Sequence, residues 1–348
     1  MLIATTIRND YCLAEKAKKN EIYLCPGCRG PVRLKHGGEK VAHFAHVSKK
    51  DCVGFSEGES ADHLAGKLAI YAYFKEKVPI QIEPVLAAID QRPDLLVGRP
   101  GNQVAIEYQC SPISKADLAK RNAGYARVGI RVWWILGPNY YRKHLSTATI
   151  CRFWLAERLW YYLPGEQGFV QETGFVRADF RKRSSKKTAL QDPLCLKRSE
   201  LPDWAKVFEK KAVQGQELSF KVLDEQRQRT KLSLLMARKQ VDEKLVSYLY
   251  EQGRRVDQMP AICLNGHAFG MMIANWQYRL TVLLLLEKAG TKGLFRSQLE
   301  ARLSRCFYSG YEAAGFVLDD LLKEMKLSGM AVEKSERIFI KGGLPFKK

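Results

Sequence analysis

Apolar positions follow helical and strand spacing in turn along the middle of the chain, which predicts an alternating α/β fold. Residues 56–77 have helical spacing, and Ser56 with Glu59 matches a capping box at the start of this helix. A second helix is predicted at residues 114–128, with Ser114 as its N-cap. Strands are predicted at residues 79–87, 93–97, 104–109 and 130–136. The predicted order of elements is therefore α-β-β-β-α-β.

The C-terminal part of the chain has its own helical pattern. Helical spacing predicts helices at residues 276–289, 296–303 and 312–327, and the run 330–340 predicts a β-hairpin. Three helices followed by a hairpin resemble a winged helix, a fold that often places its third helix against DNA. The alternative is a helical domain that serves packing or protein contacts.

The charge balance indicates the class of binding partner, and the cysteine distribution indicates the redox compartment. Among 348 residues, 57 Lys and Arg stand against 37 Asp and Glu, so the net charge is +20. Such an excess favours a nucleic-acid partner, although a solvated basic surface is the simpler alternative. The nine cysteines are mostly dispersed, which fits a reducing cytoplasm rather than a disulfide framework. No signal peptide and no bilayer-spanning apolar run is visible, so we expect no membrane insertion.

A zinc site is predicted from Cys and His residues near the start of the chain. Cys25 and Cys28 flank Pro and Gly, so both thiolates can hold one Zn²⁺ from a tight turn. His43 and His46 point to opposite faces of an extended run, and we favour His46 and Cys52 as the remaining ligands, with His43 as the alternative. Four protein ligands indicate a structural zinc. A redox pair is disfavoured, because no helical pattern follows Cys28.

Two carboxylates lie in apolar runs on neighbouring predicted strands. Asp94 precedes Leu-Leu-Val, Glu107 lies within Val-Ala-Ile-Glu-Tyr-Gln, and a Gly/Pro/Asn turn joins the two runs as a hairpin. A carboxylate inside such a strand is costly without a cation or hydrogen-bond partners. Mg²⁺ and Mn²⁺ take oxygen ligands, so Asp94, Glu107 and the backbone carbonyl of Tyr108 form a predicted metal set. Glu83, on the preceding strand, is a weaker candidate.

The hairpin resembles the site of PD-(D/E)xK nucleases, whose core has the same α-β-β-β-α-β order. Gln109 stands where those enzymes usually carry a lysine, and an amide can hydrogen-bond a water but brings no charge. Glu59, His63 and Lys67 share one face of the first helix at i, i+4 and i+8. Lys67 can therefore replace the missing lysine, while His63 binds phosphate or moves a proton and Glu59 adds a carboxylate. In the alternative interpretation Glu59 only caps the helix, and His63 and Lys67 form a solvated stripe.

The basic segment 177–187 is typical of a linker or of an arm that contacts phosphates. It carries six positive residues against one Asp. Its candidate DNA-binding residues are Arg181, Lys182 and Arg183.

Taken together, these motifs resemble the competence protein CoiA family over about residues 20–138. The matching N-terminal features are Cys25-Pro-Gly-Cys28, His43-Phe-Ala-His46, Cys52, Glu59-Ser-Ala-Asp-His63-Leu-Ala-Gly-Lys67 and Asp94. The most specific run is Glu107-Tyr-Gln-Cys-Ser-Pro-Ile-Ser114, followed by Arg121, Tyr125, Gly129 and Trp134-Ile-Leu-Gly137. The resemblance implies that the second helix and its approach carry Ser111, Ser114 and Arg121, and that Lys120 and Arg121 meet DNA phosphates there.

The resemblance also implies a zinc-binding N-terminal region, a PD-(D/E)xK-like nuclease domain and a cytoplasmic role in natural transformation. We predict a zinc-binding β module at residues 1–55, the nuclease-like α/β domain at 56–176, a basic linker and charged helical region at 177–260 and a helical domain, winged-helix-like in outline, at 261–348. Two functions follow. One is a Mg²⁺- or Mn²⁺-dependent nuclease acting on single-stranded or branched DNA. The other is a non-catalytic DNA-binding scaffold that recruits recombination proteins.

Overall fold

The computed structural model describes residues 1–37, 41–48, 60–166, 168–194, 202–209, 223–308 and 314–347. Two predicted site residues, Cys52 and Glu59, lie outside these described residues, as does Ser56. The chain divides into two compact units. The first consists of residues 1–145, 155–173 and 187–213, and the second of residues 146–154, 174–186 and 214–348.

The first unit begins with a five-stranded antiparallel sheet. Its strands are β1 (Ile3–Thr6), β2 (Tyr11–Leu13), β3 (Tyr23–Leu24), β4 (Pro31–Lys35) and β5 (His43–His46), in the spatial order β2-β1-β3-β4-β5. A small apolar core that includes Ala4, Tyr23, Val32 and Phe44 lies against this sheet. Because that core is so small, a bound metal would add substantially to the stability of the region.

The predicted α-β-β-β-α-β order is present in the first unit. It comprises α1 (Ala61–Lys75), β6 (Ile80–Ile82), β7 (Leu95–Val97), β8 (Val104–Gln109), α2 (Lys115–Arg127) and β9 (Arg131–Leu136). β6, β7 and β8 pair antiparallel, and β9 runs parallel to β8. The side chains of β8 alternate between two cores. Val104, Ile106 and Tyr108 pack with residues of α1, whereas Ala105 packs with Tyr125 of α2.

Two predicted boundaries are wrong. The first helix begins at Ala61 rather than near Ser56, because Ser60 is its N-cap and accepts a hydrogen bond from the backbone N–H of His63. The strand predicted over 79–87 ends at Ile82, because Glu83 adopts a left-handed backbone conformation with φ +50°. A left-handed residue interrupts a strand, and it turns the Glu83 side chain away from the alternation that the sequence suggests.

The aromatic segment after β9 extends the same sheet. After the short helices α3 (Pro138–Arg142) and α4 (Thr147–Arg152), the chain forms β10 (Leu159–Leu163), β11 (Gly168–Val176) and β12 (Ser184–Leu190), then α5 (Ala205–Phe208). The seven-stranded sheet has the order β12-β11-β10-β9-β8-β7-β6. The prediction of a linker at 177–187 is therefore wrong from Ser184 onward. β12 is an edge strand, where lysines are tolerated and discourage unwanted pairing.

The second unit is mainly helical. Its described elements are α6 (Glu225–Ala237), α7 (Glu243–Tyr250), α8 (Asn275–Ala289), β13 (Leu294–Phe295), α9 (Arg296–Leu303), α10 (Ala314–Leu327), β14 (Ala331–Lys334) and β15 (Arg337–Ile340). The last three strands form a sheet in the order β13-β15-β14. One face of α10 is apolar and buried, and it consists of Leu318, Leu321, Leu322 and Met325. This element order is the one expected of a winged helix, and the assignment stays a prediction.

Among the described helices, none combines the length and the apolar character needed to cross a membrane.

Candidate functional site

The close packing of α1 against β8 brings the predicted catalytic residues together. Gly66 of α1 faces the ring of Tyr108, and a Cβ atom at position 66 would lie 2.1 Å from Tyr108 Cε1. Only glycine permits this approach without a shift of the neighbouring ring. The next residue, Lys67, thereby lies against the start of β7, where Asp94 is located.

Lys67 is a buried cation bound to two carboxylates. Its side chain is 1% exposed, and its Nζ lies 2.6 Å from Glu83 Oε1 and 3.1 Å from Asp94 Oδ1. The interpretation of Lys67 as part of a solvated stripe is therefore wrong. A lysine is almost never fully buried unless it is paired, and here both partners are acidic. The structure thus places a lysine beside Asp94 although position 109 lacks one.

Asp94 is held by three groups on its two oxygens. Oδ2 accepts hydrogen bonds from His63 Nε2 at 3.1 Å and from the backbone N–H of Tyr108 at 2.9 Å, while Oδ1 faces Lys67. Burial raises the pKa of Asp94, but the charges of His63 and Lys67 outweigh this effect and hold the pKa well below its usual value. Asp94 is therefore ionised at neutral pH.

Glu107 lies opposite Asp94 at the end of the β7–β8 ladder, because Leu95 pairs with Ile106. Its side chain is 3% exposed, and its Oε1 accepts a hydrogen bond from the hydroxyl of Tyr125 and lies 3.1 Å from Arg121 Nε. Burial raises the pKa of Glu107 to about 7, although Arg121 favours the ionised form. In the part of the chain that the structure describes, Oε2 of Glu107 accepts no hydrogen bond, so this oxygen is available to a cation.

Glu83 and Arg92 also belong to the polar site. Glu83 Oε1 accepts a hydrogen bond from the backbone N–H of Leu2 at 3.0 Å as well as from Lys67. Arg92 Nη1 lies 3.9 Å from Glu83 Oε2, and the backbone carbonyl of Arg92 accepts a hydrogen bond from Arg121 at 3.0 Å. Sequence reasoning ranked Glu83 low and missed Arg92. The one available signal was a glutamate between Ile82 and Pro84, at the end of an apolar run.

Gln109 holds the loop that follows β8. Its Nε2 donates to the backbone carbonyl of Ser111 at 2.6 Å, and the hydroxyl of Tyr140 donates to the same carbonyl at 3.0 Å. The sequence indicated that this amide can hydrogen-bond a water, and in the structure one of its two N–H donors is engaged with the backbone. Ser114 is the N-cap of α2, as predicted, and accepts from the N–H of Asp117 at 3.0 Å. Lys120 is exposed on the same helix.

The predicted basic arm lies in the second unit. Arg181 and Lys182 are exposed, whereas Arg183 is half-buried and lies over the ring of Phe175 at 5.8 Å. The exposed guanidinium group of Arg181 and ammonium group of Lys182 can meet phosphates.

A group of three predicted zinc ligands is assembled in the five-stranded sheet. The ligand atoms of Cys25, Cys28 and His46 lie within 4.8 Å of one another. His43 does not belong to this group, and its Nδ1 lies 2.9 Å from the carbonyl of Val41. Two thiolates and an imidazole are ligands that suit Zn²⁺, so these residues could hold such an ion. The fourth predicted ligand, Cys52, is outside the described residues.

Comparisons with known proteins match two parts of the chain, the N-terminal region and the α/β region that follows it. Residues 8–55 match the family model described as "Competence protein CoiA, N-terminal domain", and residues 59–190 match "Competence protein CoiA, nuclease-like domain". A curated relative, "Competence protein CoiA" of Bacillus subtilis (strain 168), is 35% identical over 130 residues. That alignment covers 37% of this chain and 35% of the relative's own length. No solved structure matches the chain. The chain belongs to the CoiA competence protein family and carries that family's N-terminal and nuclease-like domains.

Proposed function

We propose that the protein is a metal-dependent deoxyribonuclease that processes single-stranded or branched DNA in the cytoplasm during natural transformation and so promotes its recombination. One observation carries this proposal. A buried lysine of α1 lies 3.1 Å from Asp94, which is opposite Glu107 across the β7–β8 pair, and these groups would supply the acidic pair and the cation that a PD-(D/E)xK site uses. The match to a nuclease-like domain supports the same interpretation.

Asp94 and Glu107 would hold a Mg²⁺ or Mn²⁺ ion. Both are carboxylates, which such hard cations prefer, and Oε2 of Glu107 accepts no hydrogen bond within the described structure. When bound, the cation neutralises charge on the phosphate and promotes ionisation of an attacking water. Lys67 would place a positive charge next to the developing negative charge. His63, hydrogen-bonded to Asp94, would move a proton.

Other regions would serve binding and stability. The net charge of +20, with Lys120, Arg121 and the exposed Arg181 and Lys182, favours attachment to the DNA backbone. Zn²⁺ on Cys25, Cys28 and His46 would stabilise the N-terminal sheet. We further propose that residues 1–55, 56–176 and 261–348 act as the zinc-binding, nuclease-like and winged-helix regions outlined by the sequence. Residues 177–260 form a charged region that also supplies β12 to the seven-stranded sheet.

The direct test is cleavage of labelled DNA by the purified full chain. Single-stranded, duplex and branched substrates are incubated with Mg²⁺ or Mn²⁺, with Asp94→Asn and Glu107→Gln as paired variants. We expect cleavage by the wild-type protein and a loss of at least 100-fold in each variant. Absence of cleavage on every substrate, or equal cleavage by the variants, would show that the proposal is wrong.

A second function, a catalytically weak DNA-binding scaffold that recruits recombination proteins, is favoured by one observation. Gln109 is uncharged and donates one amide N–H to the backbone carbonyl of Ser111, so β8 contributes no cation at this position. In this case transformation survives Asp94→Asn but fails when the C-terminal helical region is deleted. Loss of transformation in a folded Asp94→Asn protein would exclude the scaffold alone.

A further inference from the structure

The charged side chains of the site balance one another without any added ion. Its carboxylates are Glu83, Asp94 and Glu107, and the Lys and Arg cations in contact with them are Lys67, Arg92 and Arg121. His63, which contacts Asp94, adds a further positive charge when it is protonated. With the six groups ionised and His63 neutral, these described side chains carry no net charge, and with His63 protonated they carry one positive charge. A divalent cation would therefore leave at least two uncompensated positive charges among largely buried groups, and an unpaired buried charge is strongly unfavourable. Entry of a cation therefore requires that a positive group leaves or that an anion arrives.

Arg121 is the cation best placed to leave. Lys67 is 1% exposed and Arg92 is 9% exposed, whereas the side chain of Arg121 is 34% exposed. Its ion pair with Glu107 also lacks a hydrogen bond from the Nε–H group. Although Nε lies 3.1 Å from Glu107 Oε1, the buried Nε–H makes no hydrogen bond within the described structure. Its one direct hydrogen bond to the backbone runs from Nη2 to the carbonyl of Arg92.

A phosphate is the anion that Arg121 fits. The guanidinium group presents donors in a planar fork that binds two phosphate oxygens at once, and Arg121 lies on α2 beside the proposed metal carboxylates. When its fork turns to a phosphate, Glu107 loses its positive partner and can accept a metal cation in its place. The arriving phosphate also supplies the negative charge that the cation needs.

We propose that Arg121 is a positioning residue that exchanges between Glu107 and a DNA phosphate, so that the nuclease-like site takes up its divalent cation together with DNA. This inference rests on the proposed function, and it specifies the order of loading. Without DNA, Arg121 stays paired with Glu107 and metal binding is weak. With DNA, metal and DNA each strengthen the binding of the other by the same factor.

The test is a Mn²⁺ titration of the full, zinc-loaded chain. Binding is measured by calorimetry and by the electron paramagnetic resonance signal of free Mn²⁺. It is run with and without a phosphorothioate-substituted single-stranded oligodeoxynucleotide that resists cleavage. The variants are Arg121→Gln, Arg121→Lys, Asp94→Asn and the control Arg127→Gln. Arg127 is an exposed arginine in the last turn of the same helix, so its removal changes the net charge equally.

We expect DNA to tighten Mn²⁺ binding by at least tenfold in the wild-type protein and in Arg127→Gln. Arg121→Gln should bind Mn²⁺ more tightly than wild type without DNA and should lose most of the tenfold linkage. Arg121→Lys should retain part of it, because the charge remains without the fork. Equal Mn²⁺ affinity with and without DNA in the wild type, or unchanged linkage in Arg121→Gln, would overturn the exchange. If Asp94→Asn leaves every Mn²⁺ isotherm unchanged, the proposed metal site itself fails.

Discussion

Replacement of Lys67 by methionine tests whether the buried ion pairs organise the site. Methionine is similar in length and keeps much of the apolar part of the side chain, but it lacks the ammonium group. Glu83 would lose a partner at 2.6 Å, and Asp94 would lose one at 3.1 Å. Both carboxylates would then remain in a region where the Lys67 and Glu83 side chains are each only 1% exposed.

The expected loss follows from this burial. Removal of one partner from a buried ion pair costs about 3–5 kcal/mol, because the other charge stays desolvated and unpaired. We expect Lys67→Met to lower the free energy of unfolding of the first unit by this amount at pH 8. The loss should shrink toward pH 5, since Asp94 without Lys67 can take up a proton and so remove its charge.

Hydrogen exchange of the β8 amides, Val104–Gln109, measures the opening free energy of this unit within the full chain. Lys75→Met is the control, because Lys75 is in the last turn of the same helix and is 47% exposed; its effect should stay within about 0.5 kcal/mol. The double variant Lys67→Met/Glu83→Gln should recover part of the loss. A decrease below about 1 kcal/mol, or strict additivity of the two changes, would refute the reasoning.

Three further outcomes follow from other contacts. Gly66→Ala should lower the free energy of unfolding by about 1–3 kcal/mol in denaturant unfolding, because the new Cβ would lie 2.1 Å from the Tyr108 ring. The control Gly37→Ala should be near neutral, because no described atom lies within 4 Å of the position of its Cβ. Glu107 has its pKa raised to about 7 in the folded state, so the folded chain binds a proton that the unfolded chain releases above its usual value of 4.5. Wild-type stability should therefore fall between pH 4.5 and 7, and Glu107→Gln should flatten that part of the pH profile; an unchanged profile would contradict the burial of Glu107. His46→Ala should abolish stoichiometric zinc in elemental analysis while His43→Ala retains it, and the reverse result would show that the ligand assignment is wrong.

Much of the geometry of the candidate site could be predicted because it depends on short-range periodicity. A hairpin with a two-residue side-chain period places Asp94 opposite Glu107, and the observed pairing of Leu95 with Ile106 has this register. The four-residue spacing of His63 and Lys67 likewise places both on one helix face, and both contact Asp94. Local rules sufficed because each pair belongs to a single element or a single turn.

The contributions of Glu83 and Arg92 could not be predicted in the same way. Glu83 enters the site because its left-handed backbone, with φ +50°, ends β6 and redirects its side chain. Its partners are distant in sequence, since Leu2 lies 81 residues away. Arg92 has no periodic pattern around it, and its contacts with Glu83 and Arg121 depend on how three segments pack together. Tertiary packing decides such contacts, and no short-range spacing records them.

Because the lysine of this site is on a helix rather than on β8, the geometry of the site depends on how that helix packs against the sheet. A lysine on β8 would be fixed relative to Glu107 by the strand itself, because both would belong to one pleated backbone. Lys67 instead reaches Asp94 only if α1 stays close to β8, and that distance depends on the contact of Gly66 with Tyr108. The position of Lys67, the proposed catalytic cation, is therefore coupled to the core packing. A substitution that separates α1 from β8 by a fraction of an ångström should weaken the Lys67–Asp94 contact before the sheet itself is disturbed.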